Sequence, residues 1–191
     1  MKLFTTNKIF KTELEIKKSK FISYLIPFDR YKENLENIKR EHPKGRHFVY
    51  AYRILNEFEQ IVENQSDDGE PKNSSGKPTL NVMQGSKLIN LAIITVRYFG
   101  GIKLGIGGLV RAYGDSANLV INNSELIEYI KRDEFTFECE YTNLSKIEYL
   151  LNKFEIFDNK KEFLNDGVKL TLSVNEKDID KIKEQIEELI K

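Results

Sequence analysis

The stretch RYFGGIKLGIGGLVRAYG, residues 97–114, is the most informative part of the chain. It holds six of the eleven glycines. The largely apolar segment Leu91–Arg97, which ends at the first residue of this stretch, predicts a buried strand, and the apolar spacing from Leu109 onward predicts a helix over Leu109–Asn122. Glycine permits a positive φ and a close approach of the backbone to a ligand. A strand, a glycine loop over Tyr98–Gly108 and a helix in this order predict peptide N–H groups suited to a phosphate.

Side chains in this stretch could complete a phosphate or nucleic-acid site. Three basic residues supply charge, and Tyr98, Phe99 and Tyr113 could stack on bases. The alternative is a tight turn that packs strand against helix, with the arginines as ion-pair partners. The predicted binding residues are Arg97, Tyr98, Gly100, Gly101, Lys103, Gly105, Gly107, Gly108, Arg111 and Tyr113.

Generic nucleotide motifs do not describe this loop. Gly105 and Gly107 are followed by Gly108, Leu109 and Val110, so the third glycine of the dinucleotide fingerprint is missing. No Gly-Lys-Ser/Thr closes a P-loop. A dehydrogenase and a P-loop NTPase are therefore disfavoured.

An acidic segment lies in the polar loop predicted over Gln65–Pro78. Asp67, Asp68 and Glu70 could hold Mg²⁺ together with a bound phosphate, since that ion prefers hard oxygen ligands. They could equally order the loop, either as turn residues or as salt-bridge partners of an arginine. Apart from this Mg²⁺ alternative, no cofactor is predicted.

His47 and Lys77 are secondary candidates for the same site. His47 opens a predicted strand, and a general acid or base of this type needs a positioned partner. Cys139 lies on a core-facing strand of the other predicted domain, so no Cys-His pair is indicated. No catalytic residue is predicted, and binding is favoured over catalysis.

The composition limits the classes of protein. Charged residues make up 31%, and no apolar run is long enough to span a bilayer, which predicts a cytoplasmic protein without a membrane partner. One cysteine cannot form an internal disulfide, and two histidines with one cysteine are too few for a standard zinc site.

The net charge of zero conceals an uneven distribution. Residues 1–133 hold 21 Lys and Arg against 16 Asp and Glu, and residues 134–191 hold 9 against 14. Between Glu70 and Asp115 there is no acidic residue. Such a local positive field attracts anions even when the whole protein is neutral.

The periodicities predict an α+β protein of two domains, residues 1–132 and 133–191. In the first domain they predict two opening strands, a helix capped by Asp29, a hairpin of His47–Leu55 with Phe58–Glu63, and a short helix over Leu80–Leu88. In the second they predict a β-α-β-β-α order, with a strand over Glu155–Leu164 and a hairpin turn at residues 165–167. That order is typical of a small ferredoxin-like module.

The motif blocks resemble those of the YigZ/IMPACT family. The blocks are residues 66–71, 76–78, 96–105 and 107–113, and the segment 18–21 is similar too. The resemblance implies a front domain with the fold shared by a small-subunit ribosomal protein and domain four of elongation factor G. It also implies a ferredoxin-like tail and a translation-associated role, with contacts to nucleic acid or translation components.

Two positions depart from the family pattern. Asn73-Ser74-Ser75-Gly76 stands where bacterial members usually have Gly-Thr-Ala-Gly, and Phe48 and Val49 stand where many members carry a cysteine. The second departure argues against thiol chemistry at that strand.

Three functions follow as hypotheses. The first is a regulator that binds structured RNA or the ribosome through the basic glycine loop. The second is a Mg²⁺-dependent enzyme acting on a phosphorylated small molecule. The third is a protein-interaction regulator of a translation or stress pathway, with the acidic tail as docking surface. Oligomeric state is left open.

Overall fold

The computed structural model describes residues 2–176 and 178–190. The chain divides into two compact units, one ending at Tyr129 and the other beginning at Ile130. The sequence-based boundary at residue 132 lies slightly further along the chain. No helix in the described part of the chain is long and apolar enough to cross a membrane.

Unit 1 is built on a five-stranded antiparallel sheet. In chain order its elements are β1 (Phe4–Thr5), β2 (Phe10–Ile16), β3 (Ser19–Pro27), α1 (Tyr31–Glu41), β4 (His47–Leu55), β5 (Ile61–Ser66), α2 (Gly76–Gly85), β6 (Leu91–Tyr98), α3 (Ile106–Asn122) and β7 (Ile127–Glu128). The main sheet has the order β2-β3-β6-β4-β5, and the short strands β1 and β7 pair separately.

Helices cover both faces of this sheet. The aromatic and branched side chains of α1, represented by Tyr31 and Ile38, pack against one face. On the other face, α2 packs against α3, and Leu80, Met83 and Ala117 join one apolar cluster. The central strand β6 is buried on both faces, and the residues Leu91–Val96 are apolar except for Thr95, whose hydroxyl forms a hydrogen bond with that of Ser23.

Unit 2 has the predicted β-α-β-β-α order. Its elements are β8 (Arg132–Cys139), α4 (Tyr141–Lys153), β9 (Asn159–Phe163), β10 (Val168–Asn175) and α5 (Ile179–Ile190). The strand β10 lies between β8 and β9 and is antiparallel to both, so β8 and β9 run in the same direction. This split arrangement, with its own apolar core, confirms the predicted mixed α+β class.

Several predicted boundaries are wrong for local reasons. Asp29 does not cap a helix, because residues 28–30 form a 3₁₀ turn and α1 begins at Tyr31. The strand β5 starts later than Phe58, because Asn56 Oδ1 accepts the N–H groups of Phe58 and Gln60 and closes a wider turn. The strand β9 starts later than Glu155, whose φ of 56° lies in the left-handed region.

Candidate functional site

A cleft of about 370 Å³ opens in unit 1 beside the glycine loop. It lies between the start of β4, the acidic loop 67–75, the glycine loop 99–105 and the first turn of α3. Its lining residues are Arg46, His47, Glu70, Pro71, Arg97, Phe99, Lys103, Leu104, Gly105, Ile106 and Leu109. The cleft thus joins the two segments that the sequence singled out.

A buried ion pair lies at the inner end of this cleft. Arg97 Nη1 donates to Glu70 Oε1 at 2.6 Å, and the Tyr113 hydroxyl donates to the same oxygen at 2.9 Å. The side chains of Arg97 and Glu70 are only 7% and 4% exposed. Burial, with the Glu70 charge adding to it, raises the pKa of Tyr113 far above its ordinary range, so the hydroxyl remains a donor.

Aromatic rings fix the position of the Arg97 guanidinium. Its Cζ lies 5.6 Å from the ring centre of Phe21 and 5.7 Å from that of Phe99. The Phe21 ring meets Tyr113 edge to face, with centroids 5.2 Å apart. Arg97 and Tyr113 therefore belong to a packed arrangement, in which Arg97 has Glu70 as its counter-charge and is not a free surface cation.

Asp67 orders the acidic loop through its own carboxylate. Its Oδ1 accepts from Ser75 and Gly76, and its Oδ2 accepts the N–H of Asn73 at 2.7 Å. Burial alone would raise the pKa of Asp67, but the hydrogen bonds from Ser75, Asn73 and Gly76 outweigh it and lower the pKa. The departure from the family pattern at residues 73–76 falls on these same donors.

Asp68 ties the acidic loop to the first residues of β4. Its Oδ2 accepts the Phe48 N–H at 2.6 Å, and its backbone oxygen accepts from His47 Nδ1 at 2.8 Å. His47 Nε2 lies 4.0 Å from Glu70 Oε1, too far for a hydrogen bond. The three carboxylates of the loop thus contact different protein donors, which supports the loop-ordering alternative of the sequence analysis.

No group of three His, Cys, Asp or Glu side chains in the described ranges is arranged to hold a metal ion. A shared Mg²⁺ would require Asp67, Asp68 and Glu70 to turn oxygens toward one point. Each instead accepts from a different protein donor, Asp67 from Asn73, Asp68 from Phe48 and Glu70 from Arg97.

Different physical constraints explain why glycine occupies each of these positions in the loop. A Cβ on Gly100 would come within 2.0 Å of the Lys18 carbonyl, because the β2–β3 turn lies directly against the loop. Gly101 and Gly105 adopt φ values of 86° and 73°, which side chains rarely tolerate. A Cβ on Gly107 would meet no atom within 4 Å, so packing does not require glycine there.

The N-terminus of α3 is open. Gly105, the residue before the helix, has no side chain, and no side-chain hydrogen bond caps this end. A Cβ on Gly108 would approach Leu104 at 3.1 Å, whereas Gly107 faces solvent. The first-turn N–H groups carry the positive end of the helix dipole.

Several exposed cations of unit 1 have no carboxylate partner among the described residues. Lys103 and Arg111 are exposed and form no ion pair with any residue of the described ranges, and the same holds for Lys77 at the start of α2. Arg97 lines the cleft, whereas Arg111 is not among its lining residues.

Tyr98 lies apart from the cleft. Neighbouring strand residues point to opposite faces of a sheet, and Tyr98 packs with the α1 side, where its hydroxyl is 2.8 Å from His42 Nδ1. Of the aromatic residues of the loop, Phe99 is the one that lines the cleft, with 46% of its surface exposed.

The sequence reasoning missed three cations. Arg46 lines the cleft, and Lys17 and Lys18 form the exposed β2–β3 turn that lies against Gly100. The run of lysines at positions 17, 18 and 20 was the available signal. It lay outside the acid-free window and was too distant in sequence to be placed beside the loop.

Comparison with known proteins gives consistent similarities. The model of the Impact N-terminal domain matches residues 17–121. The chain is 36% identical to an IMPACT family member of Haemophilus influenzae, over 92% of this chain and 86% of that protein. It is 39% identical to the IMPACT family member YigZ of Escherichia coli, over 73% of this chain and 70% of that protein. A crystal structure of a hypothetical protein, 30% identical, aligns with a TM-score of 0.68 over 97% of this chain and 91% of that one.

Proposed function

The chain belongs to the IMPACT family, and on that premise we propose that it is a translation-associated regulator whose front unit binds structured RNA, such as that of the ribosome. The observation that carries the proposal is the set of exposed cations Arg46, Lys103 and Arg111, which form no ion pair within the described residues; the first two line the cleft at the N-terminus of α3 and the third lies in that helix. The family resemblance supports the translation-associated role, and the charge distribution supports the choice of RNA.

The buried charges of the site stabilise the fold, whereas the exposed charges are available to bind a ligand. Arg97 is neutralised by Glu70, so it holds the acidic loop against the glycine loop. Arg46, Lys103 and Arg111 keep their charge available for phosphates. Arg46 and Lys103 come from different segments and line the same cleft, and Arg111 lies further along α3.

A protein partner is the second candidate, favoured by apolar side chains on the same surface. Ile102, Ile106 and Val110 are 43%, 64% and 39% exposed, around the loop and the start of α3. Exposed apolar side chains grouped on one surface are typical of protein-binding sites.

Capture of the tagged protein from cell lysate, with and without ribonuclease, tests the proposal against this second candidate. We expect ribosomal RNA in the captured material and its loss, together with ribosomal proteins, after ribonuclease treatment. Changing Lys103 to Gln should weaken the capture. Changing Lys32 to Gln, on the exposed side of α1, should not, because α1 covers the opposite face of the sheet. Capture of ribosomal proteins that survives ribonuclease would instead support a direct protein contact.

A further inference from the structure

We propose that the cleft beside α3 accepts one unpaired nucleobase of the bound RNA, while the flanking phosphates contact the rim. This inference rests on the proposed RNA binding and specifies how the RNA is engaged. It concerns the inner part of the site, where the Arg97–Glu70 pair lies and which the exposed cations do not explain.

The size and apolar wall of the cleft suit a flat ring. A volume of about 370 Å³ falls at the lower end of the range of roughly 300–1,000 Å³ found for small-ligand sites. Phe99, Leu104, Ile106 and Leu109 line it. Phe99 offers an exposed aromatic ring, and aromatic side chains bind single-stranded bases by stacking whatever their sequence.

The inner end offers unused hydrogen-bonding groups of both kinds. The hydrogen bonds that Glu70 accepts from the described residues go to Oε1, which leaves Oε2 as an acceptor. Arg97 uses one Nη1 donor on Glu70, and its Nε is buried without a partner. With Nδ1 of His47 donating to the Asp68 carbonyl, Nε2 is a further hydrogen-bonding atom at the cleft, 4.0 Å from Glu70 Oε1.

This mixture favours a base over a phosphate at the inner end. A phosphate accepts hydrogen bonds but donates none, so it would meet the Glu70 carboxylate unfavourably. The edge of a base presents donors and acceptors side by side and can satisfy Arg97 and Glu70 together. The phosphates are better placed at the rim, where Arg46 and Lys103 are exposed.

Two RNA hairpins of matched sequence test the inference. One carries a single bulged 2-aminopurine, and in the other the same 2-aminopurine is paired. We expect the wild-type protein to bind the bulged hairpin about tenfold more tightly, in line with the stacking of one base on an aromatic ring, and to change its fluorescence more strongly than that of the paired hairpin.

Two single-residue variants test whether the preference for the bulged hairpin depends on Phe99. Phe99→Leu should reduce the preference for the bulged hairpin to near equality and abolish the fluorescence difference. Phe58→Leu, an exposed ring in the β4–β5 turn that does not line the cleft, should leave both unchanged. The melting temperature of each variant establishes that it is folded, and the fluorescence of the wild type is informative without any variant.

The possible outcomes distinguish a failure of the base pocket from a failure of the proposed RNA binding. Salt-dependent binding of both hairpins with equal affinity, and no fluorescence difference, would overturn the base pocket and leave RNA binding intact. Binding of neither hairpin at low salt would overturn both. Ribonuclease-resistant capture of a protein, with no affinity for either hairpin, would assign the surface to a protein partner and likewise overturn both.

Discussion

At the scale of the residue, Glu70 holds the buried part of the site together through its contacts with Arg97 and Tyr113. Its carboxylate neutralises Arg97 and accepts from Tyr113 while only 4% of it is exposed. Changing Glu70 to Gln leaves the guanidinium buried without a counter-charge. We expect the free energy of unfolding, measured by urea denaturation, to fall by about 3–5 kcal/mol.

A second ion pair of unit 1 provides the matched control. Arg53 Nε donates to Glu63 at 2.7 Å, but Glu63 is 28% exposed and Arg53 also donates to the Leu88 carbonyl at 2.8 Å. The Arg53 side chain is as buried as that of Arg97, at 7% exposed, but water can screen the more exposed Glu63 end of its pair. Glu63→Gln should therefore cost less than Glu70→Gln. Equal losses in the Glu63 and Glu70 variants would show that Glu70 has no special place in the fold.

The sequence could predict the contacts of individual residues only in part. The alternation of strand residues indicates that Arg97 and Tyr98 face opposite sides of the sheet, whereas the composition of residues 97–114 groups Tyr98 with the binding residues. The structure follows the alternation. An ion pair between the acidic segment and an arginine is one of the alternatives that the sequence supports, and the structure has it between Glu70 and Arg97. The choice of Arg97 over Arg111 depends on burial, which local sequence does not encode.

At the scale of the element, the glycine loop keeps its shape because the β2–β3 turn lies against it. Gly100→Ala would place a methyl group 2.0 Å from the Lys18 carbonyl, so the loop or the turn must move. We expect Gly100→Ala to lower the melting temperature markedly. In Gly107→Ala the methyl group meets no atom within 4 Å. Because alanine is favoured over glycine within a helix, we expect the free energy of unfolding to stay the same or to rise by about 0.5–1 kcal/mol.

Thermal unfolding followed by circular dichroism compares the two glycine variants directly. Similar melting temperatures for both would mean that the loop relaxes freely and that contact with Lys18 does not fix it.

Glycine and proline explain why the helix starts were misplaced. The helix α2 begins at Gly76 and contains Pro78, although the prediction began at Leu80. Proline is tolerated in a first turn because its missing N–H would have no partner there. The helix α3 likewise includes Gly107 and Gly108 in its first turn, where a glycine run favours the prediction of a loop. The strands and the order of elements were more predictable, because their apolar periodicities are long.

At the scale of the whole molecule, the zero net charge is the least informative number in the sequence. Unit 1 carries an excess of positive charge, and residues 134–191 hold 9 Lys and Arg against 14 Asp and Glu. The sequence predicted this division and the acid-free window. Only the folded chain shows that Arg97 is already paired within the window, whereas Arg46, outside it, lines the cleft.

The salt dependence of RNA binding tests the central claim most directly. If Arg46, Lys103 and Arg111 neutralise about three phosphates, the logarithm of the association constant should fall against the logarithm of salt concentration with a slope of roughly −2 to −3. Lys103→Gln and Arg111→Gln should each make the slope shallower by up to about one unit and change stability by no more than about 0.5 kcal/mol. Lys32→Gln should change neither. An unchanged slope in both site variants, or a loss of stability with unchanged RNA binding, would show that the glycine loop and its cations serve the fold and not a nucleic-acid ligand.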